Sequence, residues 1–164
     1  LQFSRLSAKS TDFVIGEVSL DKVVREAIHK YARLFVRKKI KLELTSIDTQ
    51  ILTDEKWLEF VIEQILSNAI KYTAGGTISI YQKMTVTDEK KEVKELIIED
   101  TGIGIAPEDL PRIFEKGYTG YNGHADKRST GIGLYLCRKI MRKLSHEITI
   151  ESEIGVGTKV HLKM

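Results

Sequence analysis

This chain has little of what would point to many other functions. It holds one cysteine, Cys137, so no internal disulfide can form, and a reducing compartment suits it. It holds two prolines, Pro107 and Pro111, both in one short stretch, which leaves the other segments free of that breaker. No apolar run approaches the about 20 residues that span a bilayer, and no stretch reads as a secretory signal. Neither sign of charge dominates. The 26 Lys and Arg stand against 23 Asp and Glu, interspersed, for a net +3, which argues against a nucleic-acid surface. There is no internal repeat. What remains is 164 residues, 41% hydrophobic and 30% charged, enough for one soluble domain with its own core.

Periodicity places the elements. Leu20, Val23, Val24, Ala27, Ile28, Tyr31 and Phe35 follow three–four spacing, which predicts one helix over 20–36 with Ser19 as its cap. Residues 39–46 alternate as a strand, and a short strand lies near Ile51-Leu52. A second helix begins by Asp54, with Leu58, Val61, Ile62, Ile65, Leu66, Ala69 and Ile70 on one face. Gln64, Asn68 and Lys71 fall along one flank of that face, at the edge of the core, while Glu63 reads as a surface carboxylate. Thr77–Lys83 alternates as a strand, and the charged run 87–95 reads as a hairpin loop. Leu96-Ile97-Ile98 reads as a buried strand that delivers Asp100. A long polar loop over 116–130, a third helix from Gly131 to about Leu144, and strands near 147–152 and 158–163 complete the chain. This order lacks regular βαβ alternation. It predicts an α+β two-layer sandwich, with helices on one face of a mixed sheet.

Three glycine segments and the asparagine-bearing helix carry the chemistry. An amide oxygen from Asn68 suits Mg²⁺, a hard ion that also takes phosphate and water oxygens, and Gln64 one turn earlier offers a second amide or orients water. Lys71 can reach a phosphate as a point charge. The same three residues would equally suit a solvated helix flank. Asp100 is acceptor-only, so it matches the exocyclic amino donor of adenine, and Gly102 and Gly104 let backbone approach a flat base. A plain tight turn after a strand would use the same residues. A dinucleotide fingerprint is disfavoured, because Pro107 replaces the third glycine that would pack helix on strand. Gly131 and Gly133 open a helix N-terminus, which presents N–H donors to phosphate, with Lys127 and Arg128 just before it. There is no G-x-x-x-x-G-K-[ST] run, so this is not a P-loop. Gly155 and Gly157 turn the last hairpin, with Thr158 as support for the base. Phe114 and Tyr118 flank the long loop; Phe114 suits core packing. Cys137 reads as an inert helix residue. Ser145-His146-Glu147-Ile148 superficially resembles a phospho-accepting histidine stretch, but Thr149-Ile150-Glu151 follows where a basic residue, Thr and Pro are required.

The ordered set resembles the ATP-binding catalytic domain of sensor histidine kinases, a branch of the Bergerat-fold ATPases. Residues 63–73 are similar to the N box, 100–105 to the G1 box, Ile113–Gly117 to the F box, 130–134 to the G2 box and 155–158 to the final glycine box. The resemblance implies a mainly antiparallel mixed sheet with helices on one face, and Mg²⁺ and ATP as cofactors. It implies catalytic roles for Asn68 and Lys71, and adds Tyr72, Ile105, Thr130 and Leu134 to the nucleotide contacts. It also implies that 116–130 is an ATP lid. Residues 1–10 would be the end of a dimerisation helix and linker, and 11–164 the ATP-binding domain. Gln64 stands where many relatives carry Asn and related ATPases a catalytic Glu, which argues against hydrolysis as the main activity. The expected partners are the protein's own dimerisation and histidine-phosphotransfer domain, a second copy in a homodimer, and a response regulator. Neither nucleic acid nor membrane contact is expected of this domain, a cytoplasmic part of an inner-membrane-anchored bacterial protein. Phe114–Gly120 and Arg128–Gly131 look like intramembrane-sensing kinases of Gram-positive bacteria, which respond to envelope antibiotics. The phospho-accepting histidine is expected on a helix outside this chain. Two other functions fit a nucleotide site of this kind: a serine kinase of the same fold, and a nucleotide-gated interaction module without transfer.

Overall fold

The fold is organised by the helix that carries Asn68. In the computed structural model, which describes residues 12–118 and 133–164, this helix, α3, spans Glu55–Lys71. Asp54 caps it, with Oδ1 accepting from Trp57 N at 3.1 Å, a bond of a kind worth about 1 kcal/mol. Its whole expected apolar face is buried. Before it come β1 (Gly16–Ser19), α1 (Leu20–Lys30), α2 (Ala32–Arg37), β2 (Lys41–Leu44) and β3 (Gln50–Thr53). After it come β4 (Thr77–Val86), β5 (Glu92–Asp100), a 3₁₀ turn (Leu110–Arg112), α4 (Gly133–Lys143), β6 (Glu147–Glu153) and β7 (Gly157–Lys163).

Five strands form one sheet in the order β2-β4-β5-β7-β6, and β1 pairs with β3 in a separate two-stranded sheet. β2 runs parallel to β4, and the other neighbours are antiparallel. The parallel pair requires a crossover, and α3 lies within it. Alternation sets the faces. Ile78, Ile80, Leu96, Ile98, Val160, Leu162 and Ile148 point at the helices and join one core with α1, α3 and α4. This is the expected two-layer arrangement, with a mainly antiparallel sheet covered on one face. On the other face, Tyr81 and His161 flank the fully buried Ile97 in register. Tyr81 Oη donates to Glu99 at 2.8 Å, and His161 lies between Glu95 and Glu151. Burial, then the bond to Glu99, pushes the Tyr81 phenol up to about 12.

Four expectations need correction. The predicted helix over 20–36 is two helices, broken at Tyr31 (φ −106°, ψ 11°). The apolar face continues on both sides of the break, so periodicity carries no sign of it. The predicted loop 87–95 is shorter than expected, because its last four residues, 92–95, belong to β5. The β4–β5 ladder extends to Val86 opposite Glu92, leaving only 87–91 as the turn. On the β4 side the extension, Lys83–Val86, is exposed, and on the β5 side the buried residue is the charged Glu95, so backbone pairing holds it without an apolar alternation to announce it. β1 went unread because only Val18 of its four residues is buried. Finally, Glu63 is not a free surface carboxylate. Lys30 Nζ holds it at 2.8 Å, and its side chain is 13% exposed.

Candidate nucleotide site

One flank of α3 and the turn after β5 meet. Gln64, Asn68 and Tyr72 recur every fourth residue, so they stack along the helix, and all three are half-buried, as is Lys71. At the C-terminal end, Tyr72 O accepts from Ile103 N at 3.1 Å, which stitches the helix end to the G1 turn. Further back, a Cβ placed on Gly133 would stand 3.0 Å from Gln64 Oε1, so that amide oxygen faces the start of α4. Asn68 lies between these two junctions. Lys71 Nζ lies 5.2 Å from the centre of the Tyr72 ring.

Asp100 ends β5, and its carboxylate is fixed by backbone. Oδ1 accepts from Gly102 N at 2.9 Å and from Thr158 N at 3.3 Å. Among the described residues Oδ2 accepts no hydrogen bond, so one oxygen is held and the other is left as an acceptor. Asp100 is 8% exposed, and burial, the largest influence, raises its pKa, while the two backbone bonds oppose the rise. Gly102 is required here for space. Its Cβ would lie 2.4 Å from Tyr72 O, 2.8 Å from Thr73 Oγ1 and 2.9 Å from Asp100 Oδ1. Gly104 is required for conformation as well, with φ +79° and a Cβ that would fall 2.1 Å from Glu153 O.

Ser152 joins the last hairpin to this turn. Its hydroxyl accepts from Ile105 N at 2.8 Å, donates to Gly157 O at 2.9 Å and pairs with Thr158 Oγ1 at 2.8 Å. Ser152 and Thr73 have no sequence signal, because each is a small polar residue in an ordinary strand or loop context.

The structure therefore brings together Tyr72, Asp100, Gly102, Gly104, Ile105 and Thr158, and joins Gln64 to Gly133. Leu134 is half-buried in the first turn of α4. Lys127, Arg128, Thr130, Gly131 and the expected lid from residue 119 onward lie outside the described residues. Phe114 packs partly buried against the core, with the Arg138 guanidinium 4.8 Å from its ring centre. Cys137 is fully buried, which pushes its thiol up and keeps it protonated. His146 lies between α4 and β6, half-buried, with Nε2 3.0 Å from Thr53 Oγ1; burial lowers its pKa. Among the described residues no three His, Cys, Asp or Glu side chains cluster as metal ligands. A cation held by neutral amide oxygens would take its remaining ligands from phosphate and water, which is the usual habit of Mg²⁺. The half-buried amides of Gln64 and Asn68 fit that role.

The sheet order, the α3 flank and the carboxylate at the end of β5 define a class. The chain belongs to the family described as histidine kinase-, DNA gyrase B- and HSP90-like ATPases, whose pattern matches residues 53–164. It is 40% identical over 161 residues to the sensor histidine kinase YxdK of Bacillus subtilis, covering 98% of this chain and 49% of that protein. It is 36% identical over 158 residues to the sensor protein BceS of the same organism, covering 96% of this chain and 46% of that one. The chain thus spans about half the length of the curated relatives it matches. The solved mycobacterial sensor histidine kinase MprB shares the fold, at a TM-score of 0.76 and 22% identity, with 92% of this chain and 97% of that one covered.

Proposed function

We propose that this domain binds Mg-ATP and donates the γ-phosphate to a histidine on a separate dimerisation helix, for relay to a response regulator. The observation that carries this reading is Asp100. Two backbone amides fix one carboxylate oxygen, and the other is left for a donor such as the 6-amino group of adenine. Gly102 and Gly104 bring backbone close enough to meet a flat ring. Asn68, with Gln64, would hold Mg²⁺; when bound, the ion screens the charge of the phosphate oxygens. Lys71 would place a positive charge beside the same phosphates. The protein's share of the reaction is positioning and charge neutralisation, with no covalent intermediate on this domain.

Kinship with YxdK and BceS supports placing the domain in a membrane-anchored sensor kinase of a Gram-positive bacterium, on the cytoplasmic side, acting as a homodimer in envelope stress or antibiotic sensing. The domain alone is expected to remain without phosphohistidine, because His146 is half-buried and engaged by Thr53. Calorimetry with Mg-ATP, followed by labelling with added dimerisation helices that carry a histidine, tests the proposal. Binding followed by acid-labile label on the added helices is the expected result. Absence of ATP binding, or a label on His146 itself, would refute it.

A further inference from the structure

One polar atom beside this site has no hydrogen-bond partner among the described residues. Thr73 is 1% exposed, and its hydroxyl makes no hydrogen bond among the described residues. A buried hydroxyl without a bond carries a desolvation cost that nothing repays. Such an orphan is uncommon in a native interior and calls for a physical reason. Its position supplies one. Thr73 directly follows Tyr72, and its Oγ1 faces the bare Cα of Gly102. It is one of three oxygens, with Tyr72 O and Asp100 Oδ1, that lie within 3.0 Å of the point a Gly102 Cβ would occupy. Two of those oxygens are already bonded, Tyr72 O by Ile103 N and Asp100 Oδ1 by Gly102 N and Thr158 N. Only the hydroxyl can also donate, and only it is unsatisfied. The Thr73 methyl is placed differently, 3.2 Å from where a Cβ on Gly76 would stand. The side chain is thus clamped with its polar atom toward the G1 turn.

We propose that Thr73 is a positioning residue of the base pocket, an inference that rests on the nucleotide-binding reading above. When adenine binds, the hydroxyl joins the hydrogen-bond set that Asp100 presents to the amino edge of the base. The hydroxyl, without a partner among the described residues, is then the group that gains a bond on binding. Part of the selectivity for a 6-amino purine over a 6-oxo purine then comes from Thr73 acting with Asp100.

The test compares parent, Thr73→Val, Thr73→Ser, Thr73→Ala and Asp100→Asn, by calorimetry with ATP, adenosine and GTP and by thermal melting without nucleotide. Thr73→Val removes the hydroxyl at nearly constant shape. It is expected to melt no lower than the parent, and to bind ATP and adenosine weaker by the same factor, about tenfold or about 1.4 kcal/mol. Thr73→Ser is expected to keep parental affinity. Ser and Ala at this position share the same lost methyl, so a difference between them isolates the hydroxyl even where Thr73→Val fails to fold. Equal affinities for Ser and Ala would overturn the proposal, as would parental adenosine binding by a folded Thr73→Val. If the parent bound neither ATP nor adenosine, the nucleotide reading itself would fall. If the parent bound both and only Asp100→Asn lost them, that reading would stand and the role of Thr73 would not.

Discussion

The two ends of the α3 flank are built differently. At the end proposed for the base, backbone does most of the holding: Asp100 Oδ1 is bound by Gly102 N and Thr158 N, Tyr72 O by Ile103 N, and the Ser152 hydroxyl ties Ile105 to the last hairpin. At the end proposed for the phosphates, the groups are half-buried side chains projecting from one helix. The Asn68 side chain makes no hydrogen bond among the described residues, and Lys71 lies over the ring of its neighbour Tyr72. The rigid end suits a group of fixed shape and fixed donor pattern, such as a purine. The side-chain end suits phosphates and a metal, whose positions shift during transfer. On the proposed reading, specificity would be preorganised in backbone, and the reacting end would be left for the ligand to complete.

The strongest way to break this contrast is Gly102→Ala. Its methyl would enter a space bounded by three oxygens at 2.4–2.9 Å, and overpacking of this kind costs about 3 kcal/mol at its upper range. Melting and ATP titration are both expected to fall, and a parental melting temperature would show that the turn is pliable. Asp100→Asn comes next. Because two N–H donors fix Oδ1, the amide oxygen must stay there and the NH₂ must face the base, so donor meets donor. ATP affinity is expected to drop by about 2 kcal/mol, roughly thirtyfold, with little change in the circular dichroism spectrum. Equal affinity in calorimetry would remove Asp100 as the base reader.

Asn68→Ala probes the other end with a smaller effect. ATP binding in the presence of Mg²⁺ is expected to weaken by about tenfold, a loss of about 1.4 kcal/mol, while adenosine binding stays constant. A parallel loss for both ligands would move Asn68 to the base end and erase the contrast. The smallest effect is that of pH. The folded-state pKa of Asp100 is raised above the ordinary 3.8, so its charge is a cost to the fold that is relieved as pH falls through the raised value. The same protonation removes an acceptor from the base. Over that acid window the nucleotide-free domain gains this one stabilising contribution while ATP affinity declines. Paired titrations of parent and Asp100→Asn test the sign, since the variant should lose this component of both slopes.

Much of the molecule was legible because period and position carry it. The α3 face is a three–four pattern whose whole length is buried, and the Leu96-Ile97-Ile98 run could only be an interior strand. Gln64, Asn68 and Lys71 were readable as a flank because helix geometry fixes their angle to the core. The break at Tyr31 left no trace, since a helix face continues through it. The extended β4–β5 ladder left none either, because its backbone bonds need no apolar alternation in the side chains of 83–86 and 92–95. Ser152 and Thr73 were invisible for a related reason: their importance comes from neighbours distant in sequence.

The sequence by itself determined the two-layer fold, the asparagine flank and the carboxylate at the end of a buried strand, all of which follow from local spacing and side-chain chemistry. Only the tertiary structure decided which oxygen of Asp100 is held and which is left to accept. It also decided that Gly102 sits among three oxygens that leave no room for a Cβ, and that the Thr73 hydroxyl is shut in without a bond among the described residues. Those outcomes depend on where the α3 end, with Tyr72 and Thr73, and Thr158 of β7 meet the turn after β5. Such meetings are set by the packing of the whole sheet against α3, and no local pattern encodes them.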